Sequence, residues 1–305
     1  MGKSEDKGKK ALLIVAVAFV VLAALSFMLF LAVAQTDFGG FEKKLAVIQV
    51  KGDIVMDSTD FSQSAGALGL VQQIDDADND GSVSAIFFDI DSGGGEIVAT
   101  HQVVEKIRET KKPTISYIGS VGASGAYYIA AATDYVIADP FSVTGSIGAL
   151  WMLPNVKKLL DDFGVKMDVV RSGGLKALPN PFEEISPEQK QLISGMVSES
   201  FEQFKSDVLE FRGGKVSPQS LSQITDGRII SGKQALEMKL VDQLLTREKA
   251  IKKAAEIAGI KGKPALKEFG AKRISLFDIF AQSGHAFADG IKSSLEFSGT
   301  QAIRS

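Results

Sequence analysis

Val83-Ser84-Ala85-Ile86-Phe87-Phe88-Asp89-Ile90 is apolar on both faces that a strand presents, and this run most limits what the chain can fold into. Successive strand side chains point to opposite sides, so a half-wet strand alternates polar with apolar residues. This run does not alternate, which suits a largely parallel sheet covered on both faces. It leads into Asp91-Ser92-Gly93-Gly94-Gly95-Glu96, and Ile97–Arg108 then has helical spacing. The unit recurs: Pro113–Ile118 reads as a strand, Gly119–Ala130 as a small-residue turn entering an apolar helix, and Tyr135–Ala138 as the next strand. Such alternation indicates right-handed crossovers in an α/β layer.

The flanking segments are read on the same grounds. Leu45–Val50 and Ile54–Met56 are expected as short strands and Ala67–Ile74 as a helix. Val156–Phe163 is expected as a helix, Lys166–Arg171 as a strand and Ser172–Phe182 as a loop broken by glycine and proline. Ser186-Pro187-Glu188 opens a long helix that should stop at Gly213-Gly214, with proline in its first turn and glycine past its end. Asp226–Lys233 reads as a strand-like insert, and Gln234–Leu240 and Arg247–Ala258 as helices. The tail from Lys261 reads either as an amphipathic surface helix or as a frayed end.

Ala11–Ala34 contains no charged residue and is long enough to cross a bilayer as one helix. The lysines at Lys3, Lys7, Lys9 and Lys10 place the N-terminus in the cytoplasm, so everything after Gln35 is expected outside the cytoplasmic membrane. Ala32-Val33-Ala34 resembles a signal-peptidase site, but the apolar run exceeds a usual signal core, which favours a retained single-pass anchor. The expected organisation is a cytoplasmic 1–10, an anchor over 11–34, a linker over 35–44, one α/β domain over 45–260 and a tail over 261–305. A net charge of −3 argues against nucleic acid as a partner. With no cysteine there is neither a disulfide nor a thiol nucleophile, and His101 and His285 are the only histidines, leaving little for metal chemistry or a histidine base. No metal or cofactor is expected.

Three features converge on hydroxyl chemistry. Ser124 is expected at a strand-to-helix turn, where unpaired amides favour negative charge and neighbouring glycines permit close approach. A Ser-Gly pair in that place is also an ordinary N-cap. Gly93-Gly94-Gly95 follows a buried strand without the spacing of a dinucleotide or P-loop fingerprint, leaving either an oxyanion nest or a plain turn. Both turns fall at the C-terminal edge of a parallel sheet, so they can share a cleft, with Gly125 and the glycine turn each offering an amide. A serine needs a base. His101 and His285 are poorly placed, and Lys176, in a loop of small and apolar residues, qualifies provided burial keeps it neutral; taken alone it also reads as a solvated loop charge.

Taken in order, Asp91-Ser92-Gly93-Gly94-Gly95, Gly122–Ala130, Thr144-Gly145-Ser146-Ile147-Gly148, Ser172-Gly173-Gly174-Leu175-Lys176, Asp226-Gly227-Arg228 and Gly232-Lys233-Gln234-Ala235-Leu236 closely resemble the signal peptide peptidase A family of membrane-anchored Ser/Lys proteases. The resemblance spans Leu45–Leu245. It implies an α/β fold of the crotonase or Clp-protease kind, built from repeated ββα layers behind a single N-terminal transmembrane helix, and assembly as a homo-oligomeric ring at the membrane. It implies Ser124 as nucleophile, Lys176 as general base, Ser146 as the hydroxyl orienting Lys176, and Gly94, Gly95 and Gly125 as oxyanion donors. In some members serine and lysine meet across a subunit boundary. This chain departs from the family pattern at Gly93, Leu175, Ala177 and Lys239.

The expected function is a membrane-bound serine endopeptidase that degrades remnant signal peptides or other apolar peptides at the extracytoplasmic face. Alternatives are a protease dedicated to a stomatin-like membrane partner, an acyl-CoA enzyme on the same fold, and a non-catalytic scaffold.

Overall fold

A computed structural model of the chain describes residues 21–28, 43–58 and 64–270. Residues 21–28 are helical, and the rest of the expected anchor at 11–34 lies outside the described residues, as do His285 and 271–305. Among the described residues no helix is long and apolar enough to cross a membrane.

The elements, in chain order, are β1 (Lys44–Lys51), β2 (Ile54–Val55), β3 (Ala65–Gly66), α1 (Ala67–Asn79), β4 (Val83–Ser92), α2 (Ile97–Arg108), β5 (Thr114–Ala123), α3 (Gly125–Ala131), β6 (Tyr135–Ala138) and β7 (Val143–Gly145). There follow α4 (Lys157–Asp162), α5 (Pro187–Phe211), α6 (Pro218–Ser222), β8 (Ile229–Ser231), α7 (Gly232–Glu237), β9 (Gln243–Leu244), α8 (Arg247–Ile257) and β10 (Ala265–Phe269). The main sheet runs β10-β1-β4-β5-β6-β9, with β7 beside β5 and β8 beside β7. Every pairing in it is parallel except β7 with β8.

The continuous apolar run of β4 has the cause expected of it. Ile86, Phe88 and Ile90 pack with Ile48, Ile118, Ile74 and Val104 on one face. Ala85 and Phe87 pack with Val47, Tyr117, Ala250 and Ala254 on the other. Helices therefore cover both faces of the sheet, and a strand at its centre has no wet side.

β4 and β5 stay in register from Ile86 and Thr114 to Ile90 and Ile118, and resume at Ser92 and Gly122. The two extra residues in β5 form a bulge, held where the Val121 amide donates to Asp91 Oδ1 (3.1 Å). Before the bulge β5 pairs with β6, and after it with β7. A bulge bends a strand and re-aims the residues beyond it. Here it carries the end of β5 off the β6 edge and delivers it to Ser124.

Two local expectations are corrected. Lys166–Arg171 is not a strand: it has β-branched residues but no partner among the described residues, and Val170 is completely exposed. Strand propensity without a cross-strand neighbour does not make a strand. The expected boundary at 260 falls too early, because Ala265–Phe269 pairs with β1 as an edge strand. The long helix has the expected punctuation, opening with a Ser186/Gln189 capping box and Pro187 and closing before Gly213 at φ +55°.

The end of α5 is locked by a buried cation. Arg212, 1% exposed, donates to the Lys239 carbonyl from Nε and Nη2 (3.2 Å each) and to Asp242 Oδ1 (2.9 Å). Lys215 also reaches Asp242 Oδ1 (2.7 Å), and Asp242 Oδ2 accepts from the Val136 amide of β6 (2.9 Å). Burial raises the Asp242 carboxyl, but these donors outweigh burial and hold it below the usual carboxylate range. Arg212→Ala removes the buried one of the two cations on Asp242, leaving Lys215 and the Val136 amide, and should cost ~3 kcal/mol in urea unfolding. A depressed carboxylate contributes stability that is complete above its unfolded pKa of about 4 and lost as pH falls through its folded value. Asp242→Asn should therefore lose less stability than wild type on acidification below about pH 4.

Candidate active site

Ser124 stands between the last residue of β5 and the first of α3 with φ 53° and ψ −125°. A β-carbon disfavours this conformation, which costs about 1–3 kcal/mol where neighbours impose it. The neighbours are identifiable. The Ser124 amide donates to the Gly145 carbonyl (2.9 Å), and the Ser124 carbonyl accepts from the Tyr128 amide (3.0 Å) as the first bond of α3. β7 is itself tied down where the buried Thr144 hydroxyl donates to the Gly122 carbonyl (2.6 Å). Although Ser124 occupies the N-cap position, its side chain makes no cap hydrogen bond. The strained backbone thus presents a partly exposed hydroxyl that serves no capping role.

The glycine turn after β4 lies flush against Ser124, and each of three glycines is required by what surrounds it. Gly94 has φ +103°, and a β-carbon there would sit 2.8 Å from the Gly125 nitrogen and 2.9 Å from Ser124 Cβ. At Gly95 it would strike the Ile54 carbonyl oxygen at 1.9 Å. At Gly125 it would meet Thr100 Oγ1 at 2.7 Å. The turn is pinned to β2, since the Ile54 amide donates to the Gly94 carbonyl (2.9 Å) and the Glu96 amide to the Ile54 carbonyl (2.8 Å). Gly93 faces open space, so the departure at that position is sterically free.

The Gly94 amide donates to the buried Ser92 hydroxyl (3.1 Å). That occupies the N–H which the family resemblance assigns to an oxyanion. Gly95 and Gly125 are the members of the expected donor set whose amides make no hydrogen bond with a described residue. Thr100, whose hydroxyl donates to the Glu96 carbonyl (2.8 Å), is a buried buttress under Gly125. Sequence reasoning missed both Ser92 and Thr100, although their positions, the last residue of a strand and a polar residue on the inward side of α2, were the available signals.

Ser146 follows directly on Gly145, has φ 50°, and its amide donates to the Arg228 carbonyl beside β8 (2.9 Å). Its partly exposed side chain belongs to the same corner. Lys176 does not join. It is exposed, in a turn closed by its own amide on the Gly173 carbonyl (3.0 Å), and its ammonium pairs with no described residue. The described residues of its own chain therefore leave Lys176 uncovered. His101 is exposed on α2. A cleft of about 460 Å³ lies on the α8 side of the sheet among Asp89, Tyr117, Asp139 and Arg247, and Ser124 does not line it. Among the described residues no group of three or more His, Asp or Glu is arranged to hold a metal ion.

Residues 106–261 match peptidase family S49. A Methanocaldococcus jannaschii protein with a provisional protease name is 30% identical over 297 residues, covering 93% of this chain and 94% of that protein. An Enterococcus faecium protein provisionally named signal peptide peptidase SppA is 29% identical over 219 residues, and the match covers 70% of this chain and 63% of that one. Among solved structures, a membrane-bound stomatin-specific protease with a substrate peptide aligns with a TM-score of 0.49 and 16% identity over 79% of this chain and 96% of that one.

Gly94→Ala should reduce peptide hydrolysis by about a hundredfold, because relieving the clash moves the turn or Ser124 by a substantial fraction of an ångström. Its melting temperature should also fall, from the strain of alanine at positive φ. Turnover near wild type would show that the close approach of Gly94 to Ser124 has no part in the reaction.

Proposed function

From the premise that the chain belongs to peptidase family S49 and is a serine endopeptidase, we propose that Ser124 is its nucleophile and that Lys176 of a second copy is the base. The observation that carries the first assignment is the strained N-cap backbone of Ser124, whose hydroxyl is left out of capping. Strain persists where surrounding structure over-determines it and concentrates at sites of chemistry.

The second assignment rests on where Lys176 stands. The hydrogen bonds of the stretch from Leu150 to Ile185 stay within it, as where the Val156 amide meets the Pro181 carbonyl (2.8 Å) and Asn155 the Glu183 carbonyl (3.2 Å). No residue of α4 is buried. Leu150, Met152 and Phe163 are 74%, 80% and 77% exposed, and Trp151, Leu159, Met167 and Leu175 are also open. Apolar exposure on this scale marks a surface that another molecule covers. Covering by a second copy would bury Lys176, neutralise its amine and bring it to Ser124.

The chemistry uses each of these groups in turn. Neutral Lys176 takes the Ser124 proton as Oγ attacks the peptide carbonyl, and the Gly95 and Gly125 amides donate to the developing oxyanion. Gly94, its own N–H held by Ser92, keeps the turn against Ser124. The lysine next protonates the leaving amine and afterwards activates the water that hydrolyses the acyl-enzyme, with Ser146 orienting its amine. The proposed substrates are extended apolar peptides, remnant signal peptides among them. The proposed setting is a homo-oligomeric ring of crotonase- or Clp-like subunits, tethered by the apolar 11–34 segment to the extracytoplasmic face of the cell membrane.

Ser124→Ala and Lys176→Ala should each abolish cleavage of an apolar fluorogenic peptide. Mixing the two inactive proteins under conditions that exchange subunits should restore activity, since a mixed pair holds one intact serine facing one intact lysine. Mixtures that stay inactive despite demonstrated exchange would place the dyad within one chain.

A further inference from the structure

The helix that begins at Ser124 is joined to α5 through a buried acid. Tyr128, one turn beyond Ser124 and 7% exposed, donates its hydroxyl to Asp207 Oδ2 of α5, and Gln203 donates to Asp207 Oδ1 (2.8 Å). Asp207 is itself 7% exposed. The Tyr128 ring lies against Phe204 (centroids 4.8 Å apart) and Phe211 (6.0 Å), and Arg108 from the end of α2 sits over Phe211 (5.3 Å). Burial, reinforced by Asp207, pushes the Tyr128 hydroxyl far above the usual phenol range, so it stays protonated and donates at every working pH.

Two helices that meet through aromatic and aliphatic side chains need no carboxylate between them. Burying one costs several kcal/mol unless its lone pairs are matched, and an apolar pair of similar shape would hold the helices at least as well. What a matched acid adds is a single allowed alignment, because sliding either helix leaves the carboxylate short of a donor. The alignment reaches Ser124 by one backbone bond, since the Tyr128 amide donates to the Ser124 carbonyl (3.0 Å). In the other direction α5 runs without a break back to Pro187, directly after the segment that bears Lys176, with Leu192 and Met196 half-exposed at that end.

We infer that Tyr128 and Asp207 are positioning residues that hold the Ser124 turn in register with the helix leading in from the Lys176 segment. This deepens the nucleophile assignment above and rests on it. Neither residue touches substrate. Their effect should appear in the chemical step, as the accuracy with which the hydroxyl meets its base, and not in peptide binding.

Tyr128→Phe keeps the ring packing and removes only the hydroxyl. With intact sites counted by titration with a fluorophosphonate, kcat per titrated serine should fall about tenfold, with KM within twofold of wild type. Asp207→Leu should show the same fall, and Asp207→Asn, which keeps an acceptor for Tyr128, should return to within threefold of wild type. A Tyr128→Phe kcat per titrated serine within twofold of wild type, a loss confined to KM, or an Asp207→Asn as impaired as Asp207→Leu would overturn the inference. Should Tyr128→Phe fail to accumulate, the two Asp207 variants decide by the same comparison. If the wild-type serine takes no label, the nucleophile assignment falls and this inference with it. If it labels normally and Tyr128→Phe matches wild type, only the positioning role is lost.

Discussion

The two-residue mismatch between β4 and β5 is the constraint on which the rest of the site depends. A parallel sheet buried on both faces would otherwise carry β5 straight along β6, ending in a crossover like its neighbours. The bulge after Ile118 changes partners in mid-strand, so the last residues of β5 lie beside β7 and not β6. Gly122 and Ala123 then reach the edge opposite the glycine turn, and the chain must reverse within one residue to enter α3. That residue is Ser124, and its positive φ is the cost of the reversal. A bulge costs ladder hydrogen bonds, which is tolerable here because Asp91 replaces one of them.

Polar groups buried around this corner set alignment as well as cohesion. Tyr127 donates to the Leu240 carbonyl (3.0 Å), and its neighbour Tyr128 donates to Asp207 of α5. α3 is therefore fixed by hydroxyls on two sides. Arg212 and Asp242 do the same for the end of α5 against β6, with Lys239 held at φ +63° to present its carbonyl. Glycine would take this positive φ without a steric penalty because it has no β-carbon, and lysine holds it here with its carbonyl accepting from two guanidinium nitrogens.

Legibility in the sequence tracked how local each determinant is. β4 was readable because burial on both faces leaves an apolar run, and α5 because its cap and its terminating glycines lie within the segment itself. The turn at Ser124 was readable from the density of small residues. Lys166–Arg171 was misread because its Val169 and Val170 satisfy strand propensity while pairing is decided elsewhere. β10 was missed for the converse reason: Lys267 and Glu268 disguise an edge strand that β1 completes. Within the candidate site, the glycine turn at 93–95 was visible, but the diversion of the Gly94 amide to Ser92 was not, since that bond depends on how a side chain folds back. The exposure of Lys176 was invisible for a larger reason. Nothing in a linear pattern says whether a lone lysine among apolar residues will be covered by its own chain or by another.

The identity of the residue that a serine-directed probe modifies tests the central claim most directly. Peptide mapping by mass spectrometry of the full-length protein after reaction with a fluorophosphonate should find the adduct on Ser124, and no adduct in protein lacking the Lys176 amine. Label on Ser120 or Ser146 instead, or modification of Ser124 that is indifferent to Lys176, would contradict the account.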